Sequence, residues 1–157
     1  MKPLTQTSPT MISLAILLLR CMTGAIMFGA GAGKVVKWFG GFGMDITLQY
    51  YKQMGFSNMW TYVSSFTEFL GGALLIVGLL TRPAAFLIFI NMLVATIVTM
   101  PKGFLAGQAA FPFSLMVSAL IIFITGPLRF SIDALIGRHR RIIASSKHSN
   151  ERGRIIF

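Results

Sequence analysis

Four long stretches of this chain are almost free of charge, and they leave little sequence for anything else. Residues 11–33 contain one charged side chain, Arg20, and residues 60–80 contain one, Glu68. Residues 83–101 contain none, and neither does the run 103–128, whose most apolar part is 109–126. A bilayer core about 30 Å thick is crossed by ~20 helical residues, with a range of ~17–25. All four stretches fit that length, and none alternates over about ten residues as a membrane barrel strand does. The expected fold is an all-α membrane protein, a compact bundle of four transmembrane helices at about 11–33, 60–80, 83–101 and 109–126. Only 11% of the residues are charged, against about 25% in an ordinary soluble domain, so no separate soluble domain is expected.

The connections agree with this division. Thr81-Arg82-Pro83 reads as a tight turn with Pro in the first turn of the third helix. Pro101-Lys102-Gly103 ends that helix and Gly126-Pro127 ends the fourth, while Pro112 either lies in its first turn or kinks it. The long connection 34–59 is expected to hold short helical pieces at the membrane surface. A cleaved signal peptide is the poorer reading of the N-terminus. Apolar sequence continues past Arg20 to Gly33, and no A-x-A-like site closes the run.

Fourteen Lys and Arg face four Asp and Glu, for a net charge of +10. With four crossings both termini share one side with the 81–82 turn. That side collects Lys2, Arg82, Arg129, Arg138, Arg140, Arg141, Lys147, Arg152 and Arg154. The other side holds Lys34, Lys37, Lys52 and Lys102. The basic excess predicts that both ends are cytoplasmic. Residues 1–10 then form a cytoplasmic N-terminus, 11–138 the membrane domain, and 139–157 a basic cytoplasmic tail suited to anionic lipid head groups. Trp38, Tyr50, Tyr51, Trp60 and Tyr62 cluster around the long connection, as aromatic residues do at an outer interface. The positive charge thus marks orientation rather than nucleic-acid binding.

Charges within a membrane are expensive and normally face a partner inside the bundle. Counting about 1.5 Å per residue from Met11 and from Trp60 places Arg20 and Glu68 at levels about 4 Å apart. They are expected to pair. The pair either fixes the packing of the first helix on the second or lines a polar pocket for a small ligand. Small and polar residues mark the expected contact faces: Gly24, Gly29 and Gly33 on the first helix, Gly71 and Gly72 on the second, Asn91 on the third, and Ser114 and Ser118 on the fourth.

Several segments taken in order carry a family resemblance: LLLRCMTGAIMFGAGAGK at 17–34, EFLGGALLIVGLLTRPAA at 68–85, PKGF at 101–104 and GPLRFSIDALIGR at 126–138. Over residues 12–138 the chain resembles the DoxX family of bacterial membrane proteins. The resemblance implies four transmembrane helices, a multi-pass plasma-membrane location and a role in quinone-linked redox or oxidative-stress systems. Relatives are described as subunits of a quinol oxidase or a thiosulfate:quinone oxidoreductase, so it implies quinone as ligand and a redox partner protein. It also gives Lys34, Arg82, Gly126, Arg129 and Asp133 as family-motif positions beside Arg20, Gly24, Glu68, Gly71 and Gly72. The chain departs from the family pattern in having Ala30 before Gly31, and Thr99–Met100, where many relatives carry histidine.

Other chemistry is poorly supported by the residues. His139 and His148 both lie in the basic tail, so no haem or di-iron ligand set forms inside the helices, and no metal is expected. Cys21 is a lone thiol in an apolar helix and suits packing. Gly33-Lys34 is not a phosphate loop, because Phe28 and Val35 stand where Gly and Ser/Thr are needed. No catalytic residue is named. The expected function is a subunit or accessory factor of a quinone-linked redox system. The alternatives are a small-solute or proton carrier, which would need to form a homo-oligomer, and a structural or assembly protein.

Overall fold

A computed structural model describes residues 8–105, 108–127 and 131–133. It contains five α-helices and no strand among those residues: α1 Pro9–Val35, α2 Gly43–Gln53, α3 Asn58–Val77, α4 Thr81–Thr99 and α5 Ala110–Thr125. Short 3-10 turns, Trp38–Gly40 and Met100–Lys102, follow α1 and α4. Helices α1, α3 and α4 are long and apolar enough to cross a membrane, α4 together with its 3-10 extension, whereas α5 is shorter at 16 residues. Helices α1, α3, α4 and α5 fall on the four almost charge-free runs, three of them with the length and hydropathy of a membrane span. The long connection contributes α2 and the Trp38 turn.

Local chemistry sets the helix ends. Ser8 caps α1 by accepting from the Met11 amide, and Pro9 sits at the first helical position. Gly78 ends α3 at φ 74, a left-handed conformation that costs glycine nothing, and Leu79 N–H returns to the Leu74 carbonyl. Pro83 lies in the first turn of α4. Pro112 lies in that of α5, so it starts the helix rather than kinking it.

Helix α1 packs on α3, α3 on α4, α4 on α5, and α5 returns to α1. The apolar centre is built from Met27, Leu75, Ile88, Met92, Leu115 and Ile122 with the alanines 84, 85 and 119. Polar residues are buried beside them: Arg20, Thr23, Thr61, Ser65, Glu68, Thr81 and Thr96. The outside carries the large apolar side chains, among them Leu14, Leu18, Met22, Leu70, Leu87, Ile97 and Ile124. Polar inside and apolar outside is the arrangement of helices surrounded by lipid, where packing and hydrogen bonds replace the hydrophobic effect as the force between helices.

Backbone contact between α1 and α3 depends on glycine. A Cβ on Gly31 would run into the Phe69 amide, one on Gly72 into the Phe28 amide, and one on Gly24 would stand 2.9 Å from the Gly72 carbonyl oxygen. Phe28 and Phe69 stack across the same contact with centroids 5.1 Å apart. This corrects the expected faces on two helices. Gly29 meets nothing within 4 Å, and Gly33 lies against Gly41 of the following turn rather than against a helix. Ser114 and Ser118 return their hydroxyls to Phe111 and Ser114 carbonyls of their own helix, while Pro112, Leu115, Ala119 and Ile122 form the buried face of α5. Gly71 does face a neighbour, with Ile88 of α4 3.2 Å from its would-be Cβ.

Candidate functional site

The buried carboxylate of Glu68 is paired, but with Lys34 rather than with Arg20. Helix α1 extends through Val35, so Lys34 falls in its last turn and not in the loop. Gly31 lies flat against Glu68 and Phe69, and Lys34 stands one turn further along α1. Its Nζ donates to Glu68 Oε1 at 2.7 Å and Oε2 at 2.6 Å. Asn91 Nδ2 of α4 donates to Glu68 Oε1 at 3.3 Å, so the residue read as a packing position is a carboxylate ligand. The third Lys34 bond, at 3.3 Å, goes to the Tyr51 hydroxyl of α2, whose ring centroid is 5.6 Å from Nζ. Four helices thus meet at one ion pair. The Glu68 side chain is 4% exposed and that of Lys34 24%, which leaves the ammonium as the face the pair presents outward.

Arg20 lies elsewhere. A Cβ on Gly78 would stand 2.8 Å from its Nη1, which puts the guanidinium beside the C-terminal end of α3. Gly78 is ten residues beyond Glu68, or about 15 Å along a helix. The expected Arg20–Glu68 pair fails for a simple reason: α1 has 27 residues, about 40 Å, and exceeds the bilayer core, so Met11 does not mark the level at which α3 ends.

A second polar cluster occupies that end of the molecule. Asp133 follows α5 and accepts from the Leu80 amide at 2.9 Å, the Thr81 amide at 2.8 Å and the Thr81 hydroxyl at 2.8 Å. Its own amide donates to the Gly78 carbonyl. A carboxylate distant in sequence therefore caps α4, whose own N-cap residue, Leu80, has no side-chain oxygen to offer. Burial raises the Asp133 pKa, but the bonds from Thr81 and Leu80 and the positive field of Arg20 outweigh it and hold the carboxyl below its usual range. Nearby, Arg82 packs its guanidinium against Gly126, where φ is 68 and a Cβ would stand 2.7 Å from Nε. Of the family-motif positions, Lys34, Arg82, Gly126 and Asp133 are thus placed. Arg129 and the basic tail lie outside the described residues, as does Lys2.

Beside Lys34 opens a cleft of about 570 Å³ between the end of α1, the Trp38 turn and α2. Gly29, Ala30, Gly33 and Gly41 give one wall almost no side chain, and Trp38, Phe39, Phe42, Tyr50 and Tyr51 give the other its rings. Lys37 and Phe39 adopt left-handed backbone at φ 59 and 56, strain that turns the chain sharply between the α1 end and α2. The cleft was not foreseen from sequence. Its signal was the aromatic cluster of the long connection, which reads equally well as an interface belt.

A protein of Bacillus subtilis (strain 168) named "Putative oxidoreductase CatD" is 29% identical over 125 residues, covering 80% of this chain and 89% of its own length. No solved structure matches the chain. The DoxX family matches residues 15–101, which take in most of α1 and all of α2, α3 and α4, with Arg20, Lys34, Tyr51, Glu68 and Asn91. The chain belongs to the DoxX family of membrane proteins.

Proposed function

We propose that this chain is a multi-pass protein of the bacterial plasma membrane, crossing it four times with both ends cytoplasmic, and a subunit or accessory factor of a quinone-linked redox or oxidative-stress system. The observation that carries the reading is the buried Lys34–Glu68 pair, joined by Asn91 and Tyr51, with Lys34 and Tyr51 lining an aromatic cleft. An intramembrane ion pair that opens on a cavity is a ligand-site candidate by its cost alone. The volume falls within the ~300–1,000 Å³ of small-molecule sites, and glycine-faced and aromatic walls fit a flat ring. The oxidoreductase name of the Bacillus subtilis relative points in the same direction.

Four crossings are supported by α5, 16 residues of uninterrupted apolar helix packed on α4 and α1, and by the bonds that bring Asp133 back to the α3–α4 turn. The basic excess on that side supports its cytoplasmic placement next to anionic lipid head groups. In this reading the protein supplies the ligand site, and a redox partner protein supplies electrons.

The test is purification from native membranes in mild detergent, with mass spectrometry of co-purifying proteins and of extracted quinones. Recovery of an oxidoreductase subunit or of quinone is expected. Recovery of neither, with unchanged quinone-dependent respiration in membranes lacking the protein, overturns the reading. Solute flux into vesicles that contain this chain alone, as a homo-oligomer, would assign it to the carriers instead.

A further inference from the structure

Four buried hydroxyls of these helices, Ser13, Thr47, Thr61 and Thr96, each donate to the carbonyl four residues back in their own helix. Ser65 does not. Its residue is 0% exposed, and among the described residues its oxygen has no hydrogen-bond partner. Turning to the Thr61 carbonyl would satisfy it, yet the side chain is turned away from its own backbone. The next polar group along the buried face of α3 is Glu68, three residues on. Residues so spaced on a helix have Cβ atoms about 5–6 Å apart. Two polar atoms bridged by one water lie at a similar separation, about 5.5 Å, from two bonds of ~2.8 Å. Glu68 has a matching gap. A carboxylate accepts at about four sites. Lys34 takes one on each oxygen and Asn91 a second on Oε1, so Oε2 keeps one site.

We infer that Ser65 and Glu68 hold one buried water molecule between them, which accepts the Ser65 proton and donates to Glu68 Oε2. Two polar partners are enough for an internal water. Helices α1 and α3 run antiparallel, with Gly24 against Gly72 and Gly31 against Phe69, so Ser65 stands level with the last turn of α1. That is the turn at which Lys34 is partly exposed to the cleft, which gives a small molecule a way in. Ser65 is thus a positioning residue. Through the water it holds the carboxylate in the orientation that meets Lys34 and Asn91, and it joins the ion pair to a hydroxyl one turn along α3. The inference goes beyond the redox reading and does not depend on what occupies the cleft.

Solid-state NMR of the full chain in phosphatidylcholine vesicles, with serine and glutamate carbon-labelled, tests this. Magnetisation passed from water protons should reach the Ser65 Cβ clearly faster than that of Ser118, whose hydroxyl is satisfied within its own helix. Glu68 and Glu151 are the chain's two glutamates, so the Glu68 carboxylate is read almost alone. Ser65→Ala removes one oxygen, favours the helix and keeps the Lys34–Glu68 contact. It should shift the Glu68 Cδ resonance, whereas Ser64→Ala, on the same turn but only half-buried, should leave it in place. Replacing both ion-pair members, Lys34→Met with Glu68→Met, should abolish the fast transfer to Ser65. Transfer to Ser65 no faster than to Ser118 overturns the inference, as does a Glu68 Cδ signal unmoved by Ser65→Ala. Fast transfer that survives the double variant overturns the bridge to Glu68. Because these readouts need neither a quinone nor a redox partner, their failure leaves the proposed function standing, and failure of that function leaves the water site standing.

Discussion

Lys34 Nζ sits 2.6 Å from Glu68 Oε2, so the last turn of α1 neutralises a carboxylate in the middle of α3. The bond joins the two helices whose backbones already touch through Gly31 and Gly72, and it sets their register as well as their spacing.

Removing one partner leaves a buried charge with no counter-ion, whereas removing both leaves an apolar contact. Lys34→Met and Glu68→Met should each destabilise by about 3 kcal/mol. The double variant should recover most of that loss. Unfolding by SDS titration in mixed micelles measures all three, and a coupling energy near zero would contradict the pairing. Arg20→Leu combined with Glu68→Leu should instead be additive, as expected of sites more than about 10 Å apart.

The glycines of α1 divide into two kinds. Gly31→Ala and Gly72→Ala push a methyl into opposing backbone, which cannot give way, and should separate α1 from α3. Gly29→Ala meets open space and should keep the fold, gaining up to about 1 kcal/mol from helix propensity. Thermal unfolding followed by circular dichroism ranks the three; a Gly29→Ala loss as large as that of Gly31→Ala would refute the assignment.

Asp133 ties stability to pH at the acid end. Its carboxyl lies below the usual range in the folded state, so its contribution is complete above the unfolded value near ~3.9 and is lost as pH falls through the folded one. Asp133→Ala should cost about 1–2 kcal/mol at neutral pH, the worth of a strong helix cap. Melting temperatures at pH 7 and pH 2.5 should converge between wild type and variant, and a constant gap would argue against the cap.

Leu80 holds left-handed backbone at φ 49 with its side chain exposed. Leu80→Gly removes that strain and keeps the amide that Asp133 accepts from. It should be neutral or stabilising by about 1 kcal/mol, an unusual sign for loss of a leucine. A clear fall in melting temperature would show that the leucine side chain matters more than the backbone.

Much of this fold is written in the chain's charge-free runs. Their lengths located α1, α3, α4 and α5, and the prolines at 83 and 112 and the glycine at 78 marked their ends. Glu68 was visible as a buried charge for the same reason. Its partner was not, because depth along one helix does not reveal the register between two, and Lys34 one residue beyond Gly33 reads as a loop charge until α1 is seen to continue. The serines of α5 show a related limit. A hydroxyl that bonds to its own helix carbonyl satisfies itself and can face outward, so Ser114 and Ser118 carry no information about the contact face. The cleft is a tertiary object, formed where two left-handed residues fold α2 back over the end of α1.

The cap on α4 comes from a residue made 52 positions after Thr81. At about 5–20 residues per second, the α3–α4 hairpin waits about 3–10 s for the group that completes it. Until then the Thr81 and Leu80 amides have only water or lipid head groups to bond. The arrival of Asp133 therefore works as a latch on a hairpin already in place. A chain cut after α5 would contain the five described α-helices and still lack this closing bond, which makes the order of synthesis part of how this fold is held.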